Sequence, residues 1–393
     1  MRFLRTLSTP RLLLLLLTAA ALAVGAAAIA VAASGGAGPT PPPKPLAQAI
    51  HEGLAAPNPE GITARVKFTN NLFPSGALLG NVGAALMSGA SGRLWLTNDG
   101  HGRLELQSQA GDAQIVWSPT SATVYDASSN TVYKLSLGNG EKTSTREHET
   151  PPTVANIEDF LSRLAEHADV SGAQPSNAAG QPAYTVSISP KHDGGLLGSA
   201  EVAWDAARGV PLRAAIYAQG RSSPVLELKV TDISYGAVPA ADVEIAPPAD
   251  AKTVDLGSAA GNENRQSGPE SGVSGLAAVR AAAGFPVLAP DKLVGLPRKD
   301  VRLLGSSDSK SAVVVYGHAL GAIVVVERKA DSGEAQKSGV LSSLPAISLD
   351  GVTAHELATQ LGTVIQWRRS GVGYVLAGSL PSAAAEAAAR DLK

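Results

Sequence analysis

The chain has 393 residues, 44% of them hydrophobic but only 4% aromatic, with a formal net charge of −2 and no cysteine. That length predicts two domains, each burying a core of aliphatic side chains. The near-neutral charge excludes the basic field that nucleic acid demands, and the lack of cysteine excludes a disulfide framework, a thiolate zinc site and a thioether lipid anchor.

In chain order, Arg2, Arg5 and Arg11 precede an uncharged run from Leu12 to Ala33. Such a run is long enough to cross the ~30 Å hydrocarbon core as a helix. Ala30-Val31-Ala32 also offers a signal-peptidase site. Residues 1–33 are therefore read as an uncleaved signal anchor or a cleaved signal peptide, and in both cases the positive-inside bias puts the rest of the chain outside the cytoplasm. Residues 34–45, rich in glycine and proline, are expected to form an extended tether.

Residues 46–256 read as the first domain. Leu46–Leu54 has helical spacing, and Ile62–Phe73 reads as a first strand. Pro74–Gly92 is apolar but too interrupted by glycine for either helix or strand. Clean alternation then resumes. Leu94 and Leu96 oppose Arg93, Trp95 and Thr97, and Leu104 and Leu106 oppose Arg103, Glu105 and Gln107, with further strands at Ile115–Trp117, Thr123–Tyr125 and Thr131–Leu135. Turns between them mark an up-and-down antiparallel sheet. Val154–Ala168 carries Ile157, Phe160, Leu161 and Leu164 at helical spacing behind Thr153 as N-cap, which predicts a helix lying over the sheet.

Ala183–Ile188 precedes a meander over Ser199–Pro248. Val202 and Trp204 alternate with polar or small residues, a turn spans Ala206–Gly209, and Leu212, Ala214 and Ile216 form the next apolar set. The third strand sets Leu226, Leu228 and Val230 on one phase but Ile233 and Tyr235 on the other, so a bulge is expected near Thr231–Asp232. The combination Trp204-Asp205, Gly209-x-Pro211-Leu212-Arg213, Asp232-Ile233-x-Tyr235, Val238-Pro239 and Pro247-Pro248 resembles the closing strands of LolA-like lipoprotein carriers and of the related MucB/RseB-type sigma-factor regulators. The resemblance implies an α+β fold: a curved antiparallel half-barrel sheet covered by helices, followed by a small α+β C-terminal domain. It also implies a groove for acyl chains and, for the regulator type, an anti-sigma factor as partner.

Gly257–Ser274 carries no large apolar residue except Val273 and reads as a linker over 257–274. Residues 275–393 read as the second domain. It opens on a short helix at Leu276–Ala283, continues through strands at Ala312–Tyr316, Ala322–Glu327, Ala346–Leu349, Val364–Arg368 and Gly373–Ala377, and closes on an alanine-rich helix behind Pro381.

No catalytic constellation stands out. The seven histidines stand apart with no paired metal-binding spacing, and no nucleophile elbow, phosphate loop or dinucleotide fingerprint is present. Ser307-Asp-Ser-Lys310 matches S-x-x-K without its companion motifs. The expectation is a non-enzymatic protein with no cofactor and no metal. Candidate ligand-binding residues are the inward-phase Leu94, Leu96, Leu104, Leu106, Ile115 and Trp117, with Leu78, Leu79 and Leu86 from the glycine-rich segment as a flap over them. The predicted partner is the acyl chain of a lipid or lipoprotein, in lipoprotein handling or envelope-stress regulation. The alternative is a purely protein-binding module whose groove its own side chains fill.

Overall fold

The computed structural model describes residues 38–72, 89–109, 111–136, 151–191, 195–245, 247–258, 273–305, 310–330 and 344–392. The apolar run Leu12–Ala33 and the flap residues Leu78, Leu79 and Leu86 lie outside the described residues. Among those described, no helix is long and apolar enough to cross a membrane. They divide into two compact units, the first comprising 38–71, 89–191 and 198–258 and the second 72, 195–197 and 273–392.

The first unit begins with α1 (Leu46–Ala55) and β1 (Gly61–Asn70), then the meander β2 (Ala90–Thr97), β3 (Gly102–Ser108), β4 (Gly111–Trp117), β5 (Ser121–Asp126) and β6 (Thr131–Ser136). After α2 (Val154–Leu164) come β7 (Ala168–Val170), β8 (Gln174–Ala178), β9 (Gln181–Pro190), β10 (Leu197–Asp205), β11 (Pro211–Ala218), β12 (Leu226–Tyr235) and β13 (Lys252–Ser258). All thirteen strands join one open sheet in the order β13-β6-β5-β4-β3-β2-β1-β12-β11-β10-β9-β7, with β8 paired to β9. The two meanders meet at β1 and β12, so the centre of the sheet is its least local pairing. β13 runs parallel to β6 at one edge. The sequence reading ended the sheet at β12; the proline-rich stretch after it instead carries the chain past β2 and β3, through a 3-10 turn at Ala240–Val243, to the far edge.

The expected bulge is present. Ile62, Ala64 and Val66 line one face of β1 and pair with Tyr235, Ile233 and Val230, a spacing that leaves Thr231 without an opposite residue. Its hydroxyl donates to Arg65 O at 3.3 Å. The inserted residue returns Ile233 and Tyr235 to the face that Val230 already occupies, and it bends and twists the strand there.

Thr153 caps α2 by accepting from the Asn156 N–H at 3.3 Å. Ile157 is buried, but Phe160, which the helical spacing places with the apolar set, is 45% exposed. The helix is only three turns long and turns one narrow stripe inward, so Phe160 falls outside it. α1 and α2 pack on one another and cover the β9–β10 end of the sheet, where Ala49 meets Tyr184, Val186, Ile188, Val202 and Trp204. Residues 38–45 are docked here rather than free: Asn177 Nδ2 donates to Pro39 O at 2.9 Å and Tyr184 OH to Pro42 O at 2.6 Å, and Lys44 pairs with Glu52 of α1.

The second unit contains α3 (Leu276–Ala283), β14 (Lys292–Leu293), β15 (Leu296–Leu304), β16 (Ser311–Tyr316), β17 (Ile323–Lys329), β18 (Ala346–Leu349), β19 (Val352–Thr359), β20 (Gly362–Arg369), β21 (Val372–Gly378) and α4 (Ser382–Asp391). Its eight strands form an antiparallel sheet in the order β14-β15-β16-β17-β21-β20-β19-β18. Ala385, Ala388 and Ala389 of α4 have no exposed surface, because small side chains let the helix lie close against the sheet. β15 and β19 were not foreseen: charged outward residues dilute the alternation of β15, and in β19 the charged Glu356 stands on the buried face beside Ala354, which breaks the apolar pattern.

Candidate functional site: an apolar sheet face beside a structural corner

The sheet register sorts the predicted ligand-binding residues onto one face. Across β1, β2, β3, β4, β5 and β6 one row reads Ala64, Leu94, Leu104, Ile115, Val124, Tyr133, and the next Ile62, Leu96, Gly102, Trp117, Ala122, Leu135. A third row sets Leu106 between Gly92 and Ala113. Gly102 is required, since a Cβ there would collide with the Trp117 indole and the Leu96 side chain. Side chains within a row lie ~4.5–5.5 Å apart, so the face is continuous.

Burial along these rows is graded. Ile62, Ala64 and Val66 are buried, as are Leu96 at 7% and Leu106 at 2% exposure. Leu94, Leu104 and Trp117 are half-buried and packed against the same cluster, which also takes in Ala178, Ala179, Ala183, Val210 and Leu212. Ile115, Val124 and Tyr133, further toward the β6 edge, are also half-buried. Of the six described candidates, then, Leu96 and Leu106 serve the core, while Leu94, Leu104, Ile115 and Trp117 keep accessible surface. Val124 and Tyr133 were missed as part of this face. Their strands alternate with Thr123 and Tyr125, which offer too little contrast in polarity to assign a side from sequence.

The motif residues that carried the family resemblance form a structural corner. Asp205 is 1% exposed; its carboxylate accepts from the Ala207 and Arg208 N–H groups at 2.8 and 2.9 Å and from Tyr235 OH at 2.7 Å. The Arg208 guanidinium lies 4.2 Å from the Tyr235 ring centre. Burial, with the Asp205 carboxylate beside it, holds the Tyr235 hydroxyl well above its ordinary range, so this tyrosine is a permanent donor. Gly209 has φ +66°, and a Cβ there would strike the Gly53 carbonyl of α1. These motif positions thus lock the β10–β11 turn to α1 and β12.

Elsewhere on β10–β12, Arg213 donates to Glu201 and Glu227, each at 2.6 Å, and to Tyr217 OH at 2.7 Å. Burial disfavours the Arg213 charge, but its hydrogen bonds to Glu201 and Tyr217 outweigh that and keep it firmly cationic. Every member of this network is satisfied by another, which describes a clasp between strands rather than a reactive centre. Among the described residues no three acidic or histidine side chains gather as a metal site.

No protein-family model and no curated protein matches the chain. Among solved structures it is similar to the Pseudomonas aeruginosa MucA/MucB complex, at 15% identity over 88% of this chain and 94% of that one with a TM-score of 0.39. It is also similar to an uncharacterized conserved protein from Thermus thermophilus, at 12% identity over 53% and 96% of the two chains with a TM-score of 0.30. A putative outer membrane lipoprotein-sorting protein domain from Vibrio parahaemolyticus matches at 12% identity over 47% and 89%, with a TM-score of 0.20. At scores below 0.5 these likenesses fix neither a fold nor a function.

Proposed function

We propose that the first unit is a non-catalytic binding module of an extracytoplasmic protein, and that its apolar sheet face receives the acyl chain of a lipid or lipoprotein. The observation that supports this is the half-buried strip Leu94, Leu104, Ile115, Trp117, Val124 and Tyr133, which continues a buried apolar lattice and has no charged side chain in the two rows it occupies, the buried Asp126 standing in the adjoining Leu106 row. Each methylene moved from water onto such a face gains ~0.8 kcal/mol, so half a fatty chain would bind without any polar anchor. The extracytoplasmic placement rests on Arg2, Arg5 and Arg11 ahead of Leu12–Ala33. Action in lipoprotein handling or envelope-stress regulation, with an anti-sigma factor as protein partner, is what the motif resemblance adds to the proposal.

A purely protein-binding role is the second reading. It is favoured by Ala178, Ala179, Val210 and Leu212, which already pack against the lattice from the same unit. Titration of the purified full-length chain with a fluorescent fatty-acyl probe separates the two. Saturable binding that is lost in a folded Leu104→Glu variant supports the acyl reading, since the variant sets an unpaired charge against the chain. A wild type that binds no acyl probe, or a folded variant with full affinity, overturns it in favour of the protein-binding role.

A further inference from the structure

The second unit buries an acid in its core. Glu327 has no exposed surface and lies in a row with Ala312, Tyr374 and Trp367 across β16, β17, β21 and β20. One carboxyl oxygen accepts the Leu288 N–H at 2.8 Å. The other has no partner among the described residues, and neither have three more buried polar atoms of the same sheet face, Tyr316 OH, Trp367 Nε1 and Glu356 Oε2. A carboxylate so placed is costly unless water or a cation reaches it.

Leu288 belongs to the segment 284–291, which runs from the end of α3 to β14 with Val287 and Ala289 buried. Three successive residues of it are each held by a long side chain. Arg280 Nε donates to Val287 O at 3.3 Å, Glu327 accepts from Leu288, and Arg298 donates to Ala289 O. Arg298 also pairs with Asp291 at 2.8 Å. Apart from the Arg298 N–H donating to Asp291 O at 2.8 Å at its end, the segment is thus a strap held by side chains, and Glu327 is the one whose charge varies.

We propose that Glu327 is a proton-operated latch on this strap: protonated, it keeps residues 284–291 closed over the core, and ionised, it opens them so that water reaches the carboxylate. The groups facing it set the balance. Arg280 of α3 and the Leu288 N–H favour the charged form, and burial disfavours it more strongly, so that the carboxyl titrates at about 7. Tyr316 of β16 and Tyr374 of β21 are themselves held neutral by burial and the nearby acid, and supply no cation. Arg298 and Asp291 neutralise one another at the far end of the strap, and Arg369, near Tyr374, is engaged by the Leu392 and Leu349 carbonyls. Because the closed form binds the proton more tightly than the open one, closure is favoured in full below the ordinary 4.5, and that advantage is lost as pH climbs through about 7.

Hydrogen-exchange mass spectrometry of the full-length protein between pH 5 and pH 8, corrected for intrinsic exchange, tests the latch. Protection of the 284–293 segment is expected to fall about tenfold per pH unit up to about pH 7 and then level off. The β19–β20 hairpin should keep its protection throughout, and Glu327→Gln should make the strap's protection independent of pH. Arg280→Gln, which leaves the acid in place, should move the plateau to higher pH. A flat wild-type profile, an unchanged slope in Glu327→Gln, a plateau unmoved in Arg280→Gln, or a parallel loss in the β19–β20 hairpin would each overturn the proposal.

Discussion

Leu104 and Leu106 sit two residues apart on β3 and point to the same face, yet truncating them should have different consequences. Leu106 is 2% exposed and is flanked across the strands by Gly92 and Ala113, which have almost no side chain with which to fill a void. A buried leucine cut to alanine costs about 2.7–5 kcal/mol where the site cannot collapse, so Leu106→Ala should lose about 3 kcal/mol of stability. Leu104 is half-buried between Leu94 and Ile115, so Leu104→Ala forfeits only part of that transfer energy, about 1 kcal/mol. Affinity for an acyl probe should rank the other way. Losing one leucine contact on an accessible strip weakens binding by about 1 kcal/mol, roughly fivefold, while Leu106→Ala changes the strip itself little. Urea unfolding followed by circular dichroism, with probe titration under fully folded conditions, reads both quantities. Equal stability losses in the two variants, or stronger probe binding loss in Leu106→Ala, would refute the division of this face into core and binding strip.

Two further outcomes follow from the corner at Asp205. Tyr235→Phe removes a donor from a buried carboxylate that keeps its two backbone N–H partners, so a loss of about 1–3 kcal/mol is expected by urea unfolding; a neutral result would mean that water replaces the hydroxyl. Gly209→Ala combines a positive φ with a collision against Gly53 O, and should cost more than about 1 kcal/mol in thermal unfolding without altering acyl-probe affinity; a change in affinity at unchanged stability would instead tie the turn to the binding face.

What the sequence made legible followed the strength of its periodicity. β2 and β3 alternate leucine with charged or polar residues, and their facing could be read directly. The phase break after Val230 foretold the bulge, because a period of two can change face only by inserting a residue. The position of β13 was not legible: a strand pairing in parallel with β6 gains its place from a crossing of the sheet, which no local pattern encodes. Nor was the burial of Glu327, the last residue of the strand read at Ala322–Glu327, because a single charge closing a β-branched run carries no mark of the face it takes. The docking of residues 38–45 escaped for a similar reason, since polyproline composition fixes backbone shape but says nothing about which surface its carbonyls meet.

The pairing of β1 with β12 has a consequence for how the first unit assembles. β2 through β6 can zip up by local turns as soon as they exist, and so can β9 through β12, but β1 joins the two groups across a loop that runs from Asn70 to Leu226. Closing such a loop must be met in entropy before any contact rewards it, which places this step late and makes folding slow for a chain of this size. Until it happens, each meander carries an open inner edge, with Ile62, Ala64, Val66 and their partners Val230 and Ile233 unshielded. The pairing that buries Ile62, Ala64 and Val66 against Val230 and Ile233 is therefore a late one, and the interval before closure is when this protein most needs protection from its own kind.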